Sequence, residues 1–150
     1  RERYVMDSGM AAVLGASGDP AVREKKSAVV LDFATSHTVV AAVQDEELAG
    51  FVEYHTKDVT LERLERLIED LADGKLDHKS ILAEGGHGAY SRRAIGFDHV
   101  DVIAATGPKR KLMERTRLPI LLGAPLGDNM MTGTVGILEA IRRRKGMDSL

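Results

Sequence analysis

His37 directly precedes one β-rich run, residues 38–44, and His55 ends the next, residues 48–55. A short acidic loop, Asp45-Glu46-Glu47, joins the two runs. This pattern predicts an antiparallel β-hairpin. A loop centred on Glu46 pairs His37 with His55, and such opposed side chains have Cβ atoms about 5 Å apart. Glu53 then shares their face of the sheet. We therefore predict a site where two imidazoles share a metal ion or a phosphate. The alternative is a pair of polar side chains bonded to backbone at the end of a sheet.

Asp32 lies at the end of an otherwise apolar run and precedes a polar stretch, Thr35-Ser36-His37-Thr38. A carboxylate at the end of a buried strand needs a partner, such as a cation, a water-coordinated metal or a helix N-terminus. We expect Asp32 to hold a metal ion or a water and to be a catalytic residue together with His37. Thr35, Ser36 and Thr38 are expected to face a phosphate. A turn or capping role for Asp32 is the alternative.

A glycine-rich motif, Gly85-Gly86-His87-Gly88, follows a short apolar run at residues 81–83 that we predict to be a strand. Glycines allow positive φ and let the backbone approach a ligand closely, and open α/β sheets bind ligands at the carboxyl ends of their strands. Gly85, Gly86 and Gly88 are therefore candidate nucleotide or phosphate contacts, and His87 is a candidate catalytic residue. A tight turn with a surface histidine is the alternative.

Two later loops carry further candidates. Lys109 and Arg110 follow a predicted strand at residues 100–105, where cations can hold a phosphate or a carboxylate. A solvated turn would explain them equally well. Asp128 precedes the last helix; we predict that it caps that helix and assists a metal ion. The predicted metal set is therefore Asp32, His37, His55 and Asp128.

The composition limits the classes of protein. A chain of 150 residues predicts one domain. Its 21 basic and 23 acidic residues give a net charge of −2, which does not favour binding to nucleic acid or to a membrane. The chain has no cysteine, so it offers no disulfide, no thiolate zinc site and no iron–sulfur cluster. We expect a cytoplasmic location, and we expect the chain to be a fragment of a larger protein.

The positions of the elements predict the fold class. Thr60 is a predicted N-cap, and leucines and isoleucines recur after it with helical period until Gly74. A hairpin, a helix and then alternating strands and helices predict a mixed α/β sheet flanked by helices. Strands are predicted at residues 27–33, 38–44, 48–55, 81–83, 100–105 and 119–122, a short helix or turn at residues 10–16, and a final helix after Asp128.

Four stretches in order resemble the second domain of the actin, sugar kinase and heat-shock chaperone ATPase superfamily. They are Met10-Ala11-Ala12-Val13-Leu14-Gly15, the strand that ends at Asp32 with its hairpin, Ile81-Leu82-Ala83-Glu84-Gly85-Gly86, and the helix of residues 132–140. The resemblance implies one RNase-H-like domain over residues 1–150, the C-terminal half of a two-domain protein. It implies ATP with Mg as cofactor and, as partner, a missing N-terminal domain or a second copy in a homo-oligomer.

The sequence also resembles a prokaryotic family defined by a domain of unknown function, whose members carry the label of pyruvate formate-lyase activating enzyme. The matching motifs are Met6-Asp7-Ser8-Gly9, Glu53-Tyr54-His55-Thr56, Gly85-Gly86-His87-Gly88-Ala89, Thr106-Gly107-Pro108-Lys109-Arg110 and Gly127-Asp128-Asn129-Met130-Met131-Thr132-Gly133. That label implies radical chemistry at a cluster held by three cysteines. This chain has no cysteine, so we do not carry the label over to it.

Three functions follow, and whether the chain is an enzyme stays open between them. The first is an actin-like domain that binds a nucleotide or phosphate ligand and transfers a phosphoryl group or hydrolyses ATP. The second is a metal-dependent hydrolase or transferase that uses His37, His55 and His87 with zinc, iron or manganese. The third is a non-catalytic assembly or regulatory module. The phosphate hairpin of the superfamily has glycines that residues 32–38 lack, which favours the third.

Overall fold

The computed structural model describes residues 2–150. Its helices are α1 (Ser8–Ser17), α2 (Pro20–Arg23), α3 (Leu61–Ala72), α4 (His78–Ala83) and α5 (Thr132–Arg144). Its strands are β1 (Ser27–Phe33), β2 (His37–Gln44), β3 (Glu47–His55), β4 (Gly88–Ser91), β5 (Val102–Thr106) and β6 (Ile120–Leu122).

The six strands form one mixed sheet in the order β4-β3-β2-β1-β5-β6. Strands β1 to β4 pair antiparallel in sequence order, while β5 pairs parallel with both β1 and β6. The predicted fold class is confirmed: the sheet is RNase-H-like, with an antiparallel hairpin followed by strand–helix alternation. This topology brings the carboxyl ends of β1, β3 and β5 and the start of β2 to one edge of the sheet.

Helices cover both faces of the sheet. Leu64, Leu67 and Ile68 of α3 are almost fully buried against one face, in one cluster with Leu31 and Val52. This helix follows the predicted pattern, and the Thr60 hydroxyl caps it by accepting a hydrogen bond from the Arg63 N–H at 3.1 Å. The opposite face packs against α1, and we call it the α1 face.

Helix α1 is made of small residues because α5 crosses it in direct backbone contact. A Cβ atom at Gly15 would clash with the Thr132 carbonyl oxygen, and one at Gly136 would clash with that of Ala11. Gly136 therefore permits the close packing of the two helices, whereas a Cβ atom at Gly133 would meet open space.

The turn of the β2–β3 hairpin is tighter than predicted. Asp45 and Glu46 both have positive φ, at 51° and 62°, and form a two-residue connection. The register then shifts between Ala42 and Val43, which leaves an extra residue in β3. This bulge restores the register expected for a longer loop, so His37 does pair with His55.

The predicted strand at residues 81–83 is wrong, because these residues form the end of α4. The Asp77 carboxylate caps this helix by accepting a hydrogen bond from the Ser80 N–H at 2.9 Å. A short apolar run cannot by its periodicity distinguish a strand from a helix. The actual strand, β4, begins after the glycines, at Gly88.

The segment before the last helix also differs from the prediction. The Asp128 carboxylate caps a 3₁₀ turn, Asn129–Met131, by accepting a hydrogen bond from the Met130 N–H at 2.8 Å. Helix α5 begins only afterwards, at Thr132.

Among the described residues, no helix is both long enough and apolar enough to cross a membrane.

Candidate metal centre

Three histidine side chains meet at the edge of the sheet where β2 begins and β3 ends. The ring centroids of His37 and His55 are 4.8 Å apart, those of His37 and His87 are 5.0 Å apart, and those of His55 and His87 are 4.3 Å apart. One nitrogen from each ring lies within 4.8 Å of the others. His37 and His55 are half-buried and His87 is exposed, so the cluster is open to solvent on one side.

The hairpin places two of these rings directly. His37 is the first residue of β2 and His55 the last residue of β3, and the two are register partners. Val39, two residues after His37, is in the core of the α1 face. Because side chains alternate along a strand, His37 and His55 also belong to the α1 face.

The glycine-rich loop between α4 and β4 presents the third ring. Gly88 has a φ of 123°, which favours glycine, and a Cβ atom at Gly86 would lie 2.6 Å from Ile81 Cγ2 and 2.9 Å from Tyr54 Cζ. The His87 N–H donates a hydrogen bond of 2.8 Å to the Glu53 carbonyl oxygen, which docks the loop on β3. The glycines therefore shape the backbone that carries His87 towards His55.

The nitrogen spacing fits a metal ion. His87 Nε2 and His55 Nε2 are 3.0 Å apart. Two imidazole nitrogens on a tetrahedral zinc ion at 2.0–2.1 Å would be about 3.3 Å apart. The observed spacings, from 3.0 Å for this pair to 4.8 Å at most, bracket that value. Small rotations of the rings would let all three nitrogens bind one ion.

Glu53 stands behind the His87 ring. The Glu53 Oε1 and His87 Nδ1 atoms are 3.6 Å apart, on the side of the ring away from the Nε2 that faces His55. Sequence reasoning placed Glu53 on the histidine face but did not count it among the site residues. The signal was its spacing of two residues from His55 in one strand, which guarantees a shared face.

Asp32 lies near this cluster on the same face. It pairs with Val39 in β2 and with Thr106 in β5, so it is diagonal to His37 across the β1–β2 pair. Burial raises the pKa of the Asp32 carboxyl to about 6. Gly107 packs against this carboxylate, since a Cβ atom there would lie 2.6 Å from Asp32 Oδ1.

The predicted phosphate-facing residues divide between surface and core. Thr35 and Ser36 are exposed in the β1–β2 connection. Thr38 is buried, and its hydroxyl shares a hydrogen bond of 2.8 Å with the Thr56 hydroxyl. Its register partners, Phe33 and Tyr54, are in the core beneath α3, so Thr38 faces away from the histidines.

The remaining predicted contacts have local structural partners. Gly85 is exposed with a φ of 89°. The Lys109 N–H donates to the Phe33 carbonyl oxygen at 3.0 Å, and the Arg110 N–H donates to the Gly107 carbonyl oxygen at 3.2 Å. The exposed Asp128 caps the turn before α5. Of the predicted metal set, the histidine cluster contains His37 and His55 but neither Asp32 nor Asp128.

Two solved structures are similar to this chain. A structure of the Alp12 filament matches at a TM-score of 0.47 with 10% identity, over 92% of this chain and 53% of that one. The apo structure of the pSK41 ParM protein matches at a TM-score of 0.46 with 11% identity, over 92% of this chain and 49% of that one. The chain thus spans about half the length of each.

A search of curated proteins found no match to the chain. One protein family does match: residues 1–112, which include β1 to β5 and all three clustered histidines, fit the family described as "Putative pyruvate format-lyase activating enzyme (DUF1786)". The match covers well over half of the 150 residues and confirms the resemblance read from the motifs. The chain belongs to this family.

Proposed function

We propose that this domain binds one divalent transition-metal ion through His37, His55 and His87 and that the ion serves hydrolysis or group transfer. The observation that carries the proposal is the convergence of one nitrogen from each ring within 4.8 Å. The β2–β3 hairpin pairs His37 with His55, and His87 joins them from a loop more than 30 residues further along the chain. Neutral imidazole suits zinc, iron and other transition metals.

Three protein ligands define the class of site. Structural zinc sites are closed by four protein ligands, whereas catalytic zinc sites have three and leave one position for water or substrate. In such a position the metal lowers the pKa of a bound water to about 7 and so supplies a nucleophile near neutral pH. The cluster is exposed on the His87 side, from which a water or a substrate would reach the ion.

Asp32 is the residue we assign to proton transfer. It lies on the histidine face, diagonal to His37, and its burial raises its pKa to about 6. A general acid or base works best when its pKa is near the operating pH. Asp32 would therefore take a proton from the attacking water or give one to the leaving group.

The first test is zinc binding followed by thermal unfolding of the purified chain. A metal ion present at 100 times its dissociation constant stabilises the folded state by about 2.7 kcal/mol. We expect this stabilisation in the wild type. We expect its loss in His37→Ala, because only two imidazoles would remain to bind the ion. The His99→Ala variant is the matched control, since His99 is exposed and lies outside the cluster.

Two results would contradict the metal site. One is a wild type that zinc, iron(II) and manganese all leave unstabilised. The other is a stabilisation by zinc that is equal in His37→Ala and the wild type, which would mean that zinc binds elsewhere on the chain.

A nucleotide or phosphate ligand is the second candidate, and the surroundings of Asp32 favour it. This carboxylate ends β1 beside Gly107, and the basic loop with Lys109 docks on the neighbouring Phe33 carbonyl. Thermal unfolding with ATP and magnesium, against magnesium alone, tests it. A shift that Asp32→Asn abolishes would support this candidate; no shift with any metal or with ATP would favour a non-catalytic module.

A further inference from the structure

We propose that Glu53 is the positioning residue of this metal site and that it holds the His87 ring with Nε2 towards the ion. This inference rests on the proposed function. It goes beyond the three ligands because it assigns a role to a carboxylate that would not itself bind the metal.

Glu53 holds the backbone of His87. The Glu53 carbonyl oxygen accepts the His87 N–H at 2.8 Å, and Glu53 is the register partner of Gly88. The loop is thus anchored to β3 at the residue whose side chain also faces the ring. Glu53 therefore sets the position of His87 through its backbone and the orientation of the ring through its side chain.

The two ring nitrogens of His87 face different partners. His87 Nε2 faces His55 Nε2 at 3.0 Å, while His87 Nδ1 faces Glu53 Oε1 at 3.6 Å. A ligating histidine commonly donates its second ring N–H to a carboxylate, which selects the tautomer and makes the ring a better ligand. The distance of 3.6 Å is longer than a hydrogen bond, and a small turn of the ring towards the ion would shorten it.

Within residues 2–150, His87 Nδ1 is the one basic nitrogen within 4.0 Å of the Glu53 carboxylate, which has no Lys or Arg partner there. The two side chains are about equally accessible, at 34% for Glu53 and 35% for His87, so neither is needed to fill the core. We therefore attribute the charged side chain of Glu53 in β3 to its effect on the orientation of the His87 ring.

The test compares zinc affinity in the wild type, Glu53→Gln and Glu47→Gln by competition with a chromogenic chelator. Glutamine preserves the size of the side chain and removes its charge. We expect Glu53→Gln to bind zinc about 10- to 100-fold more weakly, the usual effect of losing such a partner. Glu47→Gln is the matched control, because Glu47 lies at the other end of β3 and pairs with Arg92. Its affinity should equal that of the wild type.

A spectroscopic measurement separates positioning from mere stability. Long-range ¹H–¹⁵N NMR of the zinc-bound wild type should show His87 as the Nδ1–H tautomer, and Glu53→Gln should weaken or mix that signature. The metal-free unfolding temperatures of the two proteins should agree.

The outcomes distinguish this inference from the metal site itself. If the wild type fails to bind zinc, the proposed function fails and the inference with it. If the wild type binds zinc and Glu53→Gln binds it equally well, only the role of Glu53 is overturned. Loss of one oxygen ligand from the zinc ion in Glu53→Gln would also overturn it, since Glu53 would then be a ligand.

Discussion

The histidine cluster and the loop before α5 both contain residues that the sequence suggests as metal ligands, and the fold uses them differently. Asp128 in the loop has a local task, because its carboxylate accepts the Met130 N–H at 2.8 Å and caps a 3₁₀ turn. Within residues 2–150 the side chains of His37, His55 and His87 cap no helix or turn, and their ring centroids lie 4.3–5.0 Å from one another. Polar side chains that converge without a structural task are the stronger indication of a ligand site.

Asp32 lies between these two cases. It is near the histidines on the same face, and it is partly buried. The single cause of its raised pKa is burial, with no hydrogen bond from the described residues to offset it. This carboxylate therefore costs stability in the metal-free protein, whereas a capping carboxylate such as Asp128 contributes to it.

The largest expected change in the free energy of unfolding follows from replacing Asp32 with asparagine. The pKa of Asp32 rises from 3.8 in the unfolded chain to about 6 in the folded one. The native state then binds more protons between these values, so stability falls as the pH rises through that window. Above pH 6 the full cost is about 3 kcal/mol. Asp32→Asn should remove it and so be more stable than the wild type.

Urea unfolding of the metal-free proteins at pH 4 and at about pH 7.5 measures this difference. We expect Asp32→Asn to match the wild type at the lower pH and to exceed it at the higher. An equal difference at both pH values would mean that Asp32 does not carry the cost of a buried charge.

A smaller change in the free energy of unfolding is expected at Asp128. It tests whether this residue, unlike the clustered histidines, has only a structural role. Removing an N-cap carboxylate typically costs about 1 kcal/mol. We expect Asp128→Ala to lose about that amount in urea unfolding, while its zinc affinity stays that of the wild type. A weaker affinity for zinc would instead make Asp128 part of the metal site.

Much of the sheet could be predicted because hairpin register and buried strands follow from local pattern. The pairing of His37 with His55 was correct although the loop was not. The sequence suggests a three-residue loop, and the structure has a two-residue turn with a bulge between Ala42 and Val43 that compensates for it. Positive φ at Asp45 and Glu46 is unusual for such residues, so the sequence carries little signal of this turn.

The sequence suggests His87 as a site histidine together with His37 and His55, but the geometry that joins the three could not be predicted, because it depends on a segment that is predicted as a strand and is a helix. The apolar run at residues 81–83 is a helix end, and the glycines after it lead into β4. Only the pairing of Gly88 with Glu53 brings His87 to the other two rings. Such a contact between distant segments leaves no periodicity in the sequence.

The most direct test of the metal site is X-ray absorption at the zinc edge of the protein with one zinc ion per chain. We expect three imidazole nitrogens at about 2.0–2.1 Å and one further light ligand. In His87→Ala the imidazole count should fall by one, and in His99→Ala it should stay at three. A zinc ion with fewer than three imidazoles in the wild type, or a count that His87→Ala leaves unchanged, would contradict the three-histidine metal site.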